Sequence, residues 1–484
     1  MNFETHLAFG SSNLCQWSPN GKILAVLESK CRLVLRDAAS LDVQRTEVMV
    51  SSGSGSPSED NIDFILFSPD SQFILASDFK SGLTFVYKTG SDKESATWKA
   101  KISEGMAGIT NIRWSPDSRH IIALAEFNIK LTVWSLVQKL VRYIKFPKNE
   151  TCVEFSADGQ YLAVVERRDG KDCLSLFHSA KDWRVARHYE LLPDLDTQGV
   201  LWSANSDLIA VYSTKLQCSL AVYSLDGRCL FLYRPDDIGN PLIIGFLSCN
   251  ETNLSSSTFL AGNSLFSVAW TSCGSVLAIA STNGISLINC WTWTMISDLE
   301  VPVKLNDYDP KMALFIETQK QLTTEDVDVR IARELCSNPL DTEYVLVQER
   351  PIDLLPNKKT KCKRLHNIDL QFSKDNKYLM AKSSSNHLVW IWDIHRLQLY
   401  SILVHDSPIS STVWSPLTEK IHSLMVLTTK GLLHLWTFKG VLCLSLPPLD
   451  KDYGRIKDIQ WNPVGKALAI TCQDGIVCCR IGKI

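Results

Sequence analysis

Apolar and polar positions in this chain alternate over short runs that are broken by tight polar turns. The clearest case is residues 111–123, Asn-Ile-Arg-Trp-Ser-Pro-Asp-Ser-Arg-His-Ile-Ile-Ala. Ile112 and Trp114 alternate with polar neighbours, the period of a half-buried strand. Pro116 pre-sets φ for a turn, and Asp117 and Ser118 suit the positions after it. Ile121-Ile122-Ala123 then returns to the interior. One such hairpin is too small to be stable alone. The chain writes it nine times, starting at Trp17, Phe67, Trp114, Phe155, Trp202, Trp270, Phe372, Trp414 and Trp461.

Successive anchors are 50, 47, 41, 47, 68, 102, 42 and 47 residues apart. The short spacings approach the period of about 40–45 that propeller blades show. The two long ones require insertions or a degenerate blade. Each period also has a third strand that ends where a Trp-Asp pair belongs in a WD repeat. Trp392-Asp393 carries the pair outright, Asp37 keeps only the acid, Trp134 and Trp436 keep only the indole, and Tyr223-Ser224 keeps neither. The chain therefore resembles a diverged WD-repeat protein. The expected fold is all-β, a WD-repeat β-propeller spanning 1–484, with one ring of about nine four-stranded blades. Two propellers that share strands are the alternative.

The last repeat supplies three strands, and 2–9 is the segment available to complete it, which removes an open edge. Three segments depart from the repeat: a Ser-Gly loop at 51–60, an insertion at 235–262, and a long one at 301–366. The last contains a candidate short helix at 327–335 and a basic run at 358–364. Blade four carries a dense charged element between its second and third strands: Glu166, Arg167, Arg168, Asp169, Lys171 and Asp172. It is either a solvated turn with local ion pairs or a partner-binding site. In a propeller the loops between blades share a face with the turns joining strands two and three, so all four segments are expected on one face.

Composition narrows the functional classes. Net charge is −2 and no apolar run approaches a membrane span, so neither nucleic acid nor membrane is an expected partner. The N-terminus reads as lacking a signal segment. Fifteen cysteines are scattered without a Cys-x-x-Cys, as expected of free buried thiols; Cys31, Cys173, Cys290 and Cys472 are placed on strands. Cys478 and Cys479 should face opposite sides of a strand. There is no His-Glu-x-x-His, nucleophile elbow or Walker loop, so no catalytic, cofactor or metal residue is assigned. His178, His387 and His434 read as packing or edge residues, and 291–296 (Trp-Thr-Trp-Thr-Met-Ile) as a packed outer strand.

Several stretches carry a closer likeness: 102–105 with Ala107-Gly108, 132–136, 143–148, 166–172, 223–228 and 389–394. Through them the chain resembles the centrosomal WD-repeat proteins of the WD-repeat protein eight family. That resemblance implies a non-enzymatic subunit of the centrosome, centriolar satellites or spindle pole, in the cytoplasm and cytoskeleton. It implies a coiled-coil partner resembling afadin- and alpha-actinin-binding protein. It further implies indirect links to a minus-end-directed kinesin and to microtubule minus ends, in spindle assembly and cilium formation. An adaptor of another complex, a ubiquitin-ligase substrate receptor or a translation-initiation subunit, is the competing expectation.

Overall fold

Each aromatic anchor ends a strand because the residues after it close a turn on themselves. In a computed structural model, the Ser115 hydroxyl accepts from the His120 amide at 2.9 Å and donates to Asp117. Ser18, Ser68, Ser156 and Ser373 repeat this with Asn20, Asp70, Asp158 and Asp375 at 2.6–2.7 Å. The residue three beyond the hydroxyl always takes positive φ, as at Gly21 (69°), Ser118 (59°) and Asn376 (61°). This type I turn followed by a left-handed residue is a standard hairpin connection.

The described residues are 3–10, 14–29, 31–48, 62–90, 99–105, 108–138, 140–192, 195–213, 219–235, 241–245, 265–281, 284–302, 304–305, 311–319, 342–346, 352–353, 368–383, 387–416, 422–444, 454–465 and 467–481. They form the nine antiparallel blade sheets of a WD-repeat β-propeller, almost without helix. The chain divides into two units, Val50–Asp298 and Met1–Met49 with Leu299–Ile484.

The first unit holds blades two to six. Blade three is Ile109–Trp114, His120–Ala125, Lys130–Ser135 and Val141–Lys145. Blade four is Val153–Phe155, Tyr161–Arg168, Lys171–His178 and Arg184–Glu190. Neighbouring blades are tied by the anchors: the Trp114 indole donates to the Leu66 carbonyl at 3.1 Å, and Trp202 to Glu154 at 3.0 Å. A net hydrogen bond is worth only about 1 kcal/mol, so the repeat matters more than any one rung. Side chains from facing blades fill the space between sheets, as Leu75 and Val86 do with Ile112, Trp114 and Ile121.

The second unit holds blades one, seven, eight and nine. In the last, Phe3–Gly10 pairs antiparallel with Gly475–Ile481, the closure that a three-stranded final repeat demands. Cys478 packs with Cys15, whereas Cys479 packs with Cys472, so the two do face opposite sides. The Trp-Asp position is a turn cap: Asp393 accepts from the amides of His395 (3.0 Å) and Arg396 (3.2 Å). Any short acceptor will serve, since Asn289 and Ser135 do the same elsewhere. That explains how the acid was lost without loss of the blade.

Several expectations need correction. Trp291 and Trp293 lie in the turn before the outer strand Thr294–Leu299, because Trp293 takes φ 56° and folds back on Phe231 at 5.3 Å. Cys31 and Cys290 also sit in turns. Part of the 235–262 insertion is sheet: Pro241–Gly245 adds a fifth strand to blade five. Within 301–366, Ala313–Gln319 and Thr342–Leu346 form a hairpin, and Ala313–Gln319 pairs in parallel with the outer strand of blade seven, Gln398–Val404. The loop 51–60, the candidate helix at 327–335 and the basic run at 358–364 lie outside the described residues.

Candidate partner-binding site

The charged element of blade four is not a solvated loop. Its two strands run on to Arg168 and from Lys171, leaving only Asp169 and Gly170 as the turn. Both take positive φ, 48° and 80°, as a two-residue turn matched to strand twist requires. Burial ends at the base of this hairpin, so Glu166 and Asp172 differ from the residues between them. Glu166 and Asp172 are buried. Arg167, Arg168 and Lys171 are half or more exposed.

The buried acids hold the exposed bases. Glu166 accepts from Arg168. Asp172 accepts from Lys148 Nζ at 2.6 Å and from the Thr197 amide at 2.8 Å. The same Lys148 Nζ donates to Asp196 at 2.5 Å, and Asp196 also takes Arg167 at 2.9 Å. The Lys148 hydrogen bond holds the Asp196 carboxyl below the usual carboxylate range, with Arg167 adding to it. Lys171 pairs with Glu190 at 3.1 Å, and both are largely exposed, so that pair contributes little. Lys148 and Asp196 come from loops between blades, and Asp172 from the hairpin. In this unit the two kinds of loop therefore do share a face.

Three exposed apolar residues adjoin the arginines. Phe127 is 85% exposed at the tip of the blade-three turn, and its φ of 59° is costly for an aromatic. Ile129 follows it and is exposed; its carbonyl accepts from the Phe146 amide at 3.4 Å. Phe146 is exposed too, also at positive φ (58°), and its carbonyl accepts from the Arg167 amide at 3.4 Å. Backbone bonds thus set Ile129, Phe146 and Arg167 side by side, with Phe127 and Arg168 exposed close by in sequence. Aromatic side chains beside arginine are the composition of binding hot spots. Sequence reasoning missed Phe127 and Ile129, because nothing in a strand-length apolar run says which turn will expose it.

His434 is a buried strand residue, as a packing role requires. His434 is buried with His405 and Glu317, and one ligating atom from each lies within 4.8 Å of the others.

No family model matches the chain. A mouse protein, WD repeat-containing protein WRAP73, is 32% identical over 493 residues, covering 99% of this chain and 96% of the mouse protein. The chain belongs to the WRAP73 family of WD-repeat proteins. An uncharacterized WD repeat-containing protein of Schizosaccharomyces pombe is 22% identical over 319 residues, 64% of this chain and 56% of the yeast protein. Among solved structures, a eukaryotic initiation factor matches at TM-score 0.50 and 12% identity, over 90% of this chain and 87% of that one. At that identity the likeness is one of fold, whereas WRAP73 gives the family.

Proposed function

We propose that this WRAP73-family propeller is a non-catalytic scaffold of the centrosome, centriolar satellites or spindle pole. It binds a coiled-coil protein resembling afadin- and alpha-actinin-binding protein and helps anchor microtubule minus ends. Spindle assembly and cilium formation follow from that anchoring. The observation that carries the binding face is the exposed group of Phe127, Ile129, Phe146, Arg167 and Arg168, with Arg167 paired to Asp196 and Arg168 to the buried Glu166. Preorganised charges cost less side-chain entropy on binding than free ones. A helix of such a partner offers the complement where its outer face carries apolar residues beside acidic ones.

The test is capture of the coiled-coil partner by the tagged full chain. Phe127→Ala removes a side chain that is almost wholly in solvent, and Arg167→Glu with Arg168→Glu reverses the charge. Partner recovery should fall by about tenfold or more for each, with circular dichroism unchanged. Full recovery with folded variants rejects this face. Imaging against a centrosome marker tests the location separately; diffuse signal in dividing cells rejects it.

A further inference from the structure

The inserted hairpin brings two side chains against two buried histidines. Glu317 lies on Ala313–Gln319 and Tyr344 on Thr342–Leu346. His405 follows the outer strand of blade seven, and His434 lies on the third strand of blade eight, Leu433–Thr437. The Glu317 carboxylate is 3.4 Å from His405 Nδ1 and 3.8 Å from His434 Nε2. The Tyr344 hydroxyl is 2.7 Å from His405 Nδ1 and 3.1 Å from His434 Nδ1. Both imidazoles are fully buried, and Glu317 is nearly so.

Proton accounting leaves a gap in this cluster. Nε2 of His405 and Nε2 of His434 are both buried without a hydrogen-bond partner. A neutral imidazole carries one proton, and the Tyr344 hydroxyl can satisfy only the Nδ1 side of each ring. Whichever tautomers are chosen, each ring keeps an unpaired donor or lone pair in a buried site. Such a gap costs about 1–3 kcal/mol per group and calls for a ligand.

We propose that Glu317, His405 and His434 bind one divalent transition-metal ion of the zinc class, with Tyr344 orienting the His434 ring. Two imidazole nitrogens and one carboxylate oxygen are a zinc-type donor set. The donor atoms lie within 4.8 Å of one another, so a contraction of about 1 Å brings them to bonding distance of one ion. His434 faces Glu317 through Nε2 and turns its other nitrogen to the Tyr344 hydroxyl, as ligating histidines almost always do toward an oxygen. The Asp406 amide at 3.0 Å helps hold Glu317. The role is structural: the ion fastens the inserted hairpin to blade eight.

The experiment uses the full chain, stripped with a chelator and dialysed against zinc or cobalt. The wild type should retain one equivalent above the Glu317→Gln variant by elemental analysis. Cobalt should give the intense visible bands of a tetrahedral site, and zinc should raise the unfolding temperature. Tyr344→Phe should keep the ion with about tenfold weaker affinity or more. The proposal is overturned if the wild type shows no visible cobalt band. It is equally overturned if folded Glu317→Gln retains as much zinc as the wild type, which would mark surface binding only.

Discussion

Blade four and blade eight use the same two backbone places for opposite chemistry. In each, the loop from the preceding blade delivers one side chain, Lys148 or His405. In each, the second residue of the third strand delivers the other, Asp172 or His434. Blade four fills these places with charges and leads them outward through Asp196 to the exposed Arg167. Blade eight fills them with imidazoles and closes them off under Glu317 and Tyr344. The repeat thus fixes where two side chains meet and leaves their chemistry free. One meeting point became the foundation of a surface, the other an interior clamp.

The largest expected effect breaks the blade-four side of this comparison. Lys148→Ala removes the cation that Asp172 and Asp196 share. Asp172 is buried and keeps the Thr197 amide, with the Arg167 guanidinium 3.9 Å away. Stranding a buried carboxylate costs about 3–5 kcal/mol. Urea unfolding of the folded chain should show that loss in the unit that contains blade four. A change below about 1 kcal/mol would mean that the cluster is as dispensable as a surface pair.

A smaller effect tests whether the hairpin itself is preorganised. Gly170 takes φ 80°, and a Cβ built there meets nothing within 4 Å. Gly170→Ala therefore carries backbone strain alone, about 1–2 kcal/mol. Partner capture should weaken along with stability, because the turn sets where Arg167 and Arg168 stand. Unchanged capture by a destabilised variant would separate the turn from the binding face.

The blades were legible in the sequence because each is specified locally. Ser115 and Asp117 close their turn with atoms less than a turn apart in sequence, and Asp393 caps its own. The closing strand was legible because the last repeat lacked a partner. The inserted hairpin was not: its parallel pairing with Gln398–Val404 spans a long stretch of chain, with no local signal. Glu166 and Asp172 looked like solvated charges because composition cannot show a partner such as Lys148 arriving from another blade. The histidine cluster draws on four separate segments at 317, 344, 405 and 434, so no spacing motif announces it.

The smallest effect sharpens the comparison by pH. The Lys148 hydrogen bond lowers the Asp196 carboxyl in the folded chain below its unfolded value. A lowered carboxyl contributes stability that is present above the unfolded value, about 4, and is lost as pH falls through the folded one. Asp196 is partly exposed, so solvent screens the contribution and it should be modest. Urea midpoints measured from about pH 5 down to about pH 3 should therefore fall more steeply for the wild type than for Lys148→Ala, which has lost the cause of the shift. Parallel slopes would show that the Lys148 hydrogen bond does not stabilise the ionised Asp196 in the folded chain.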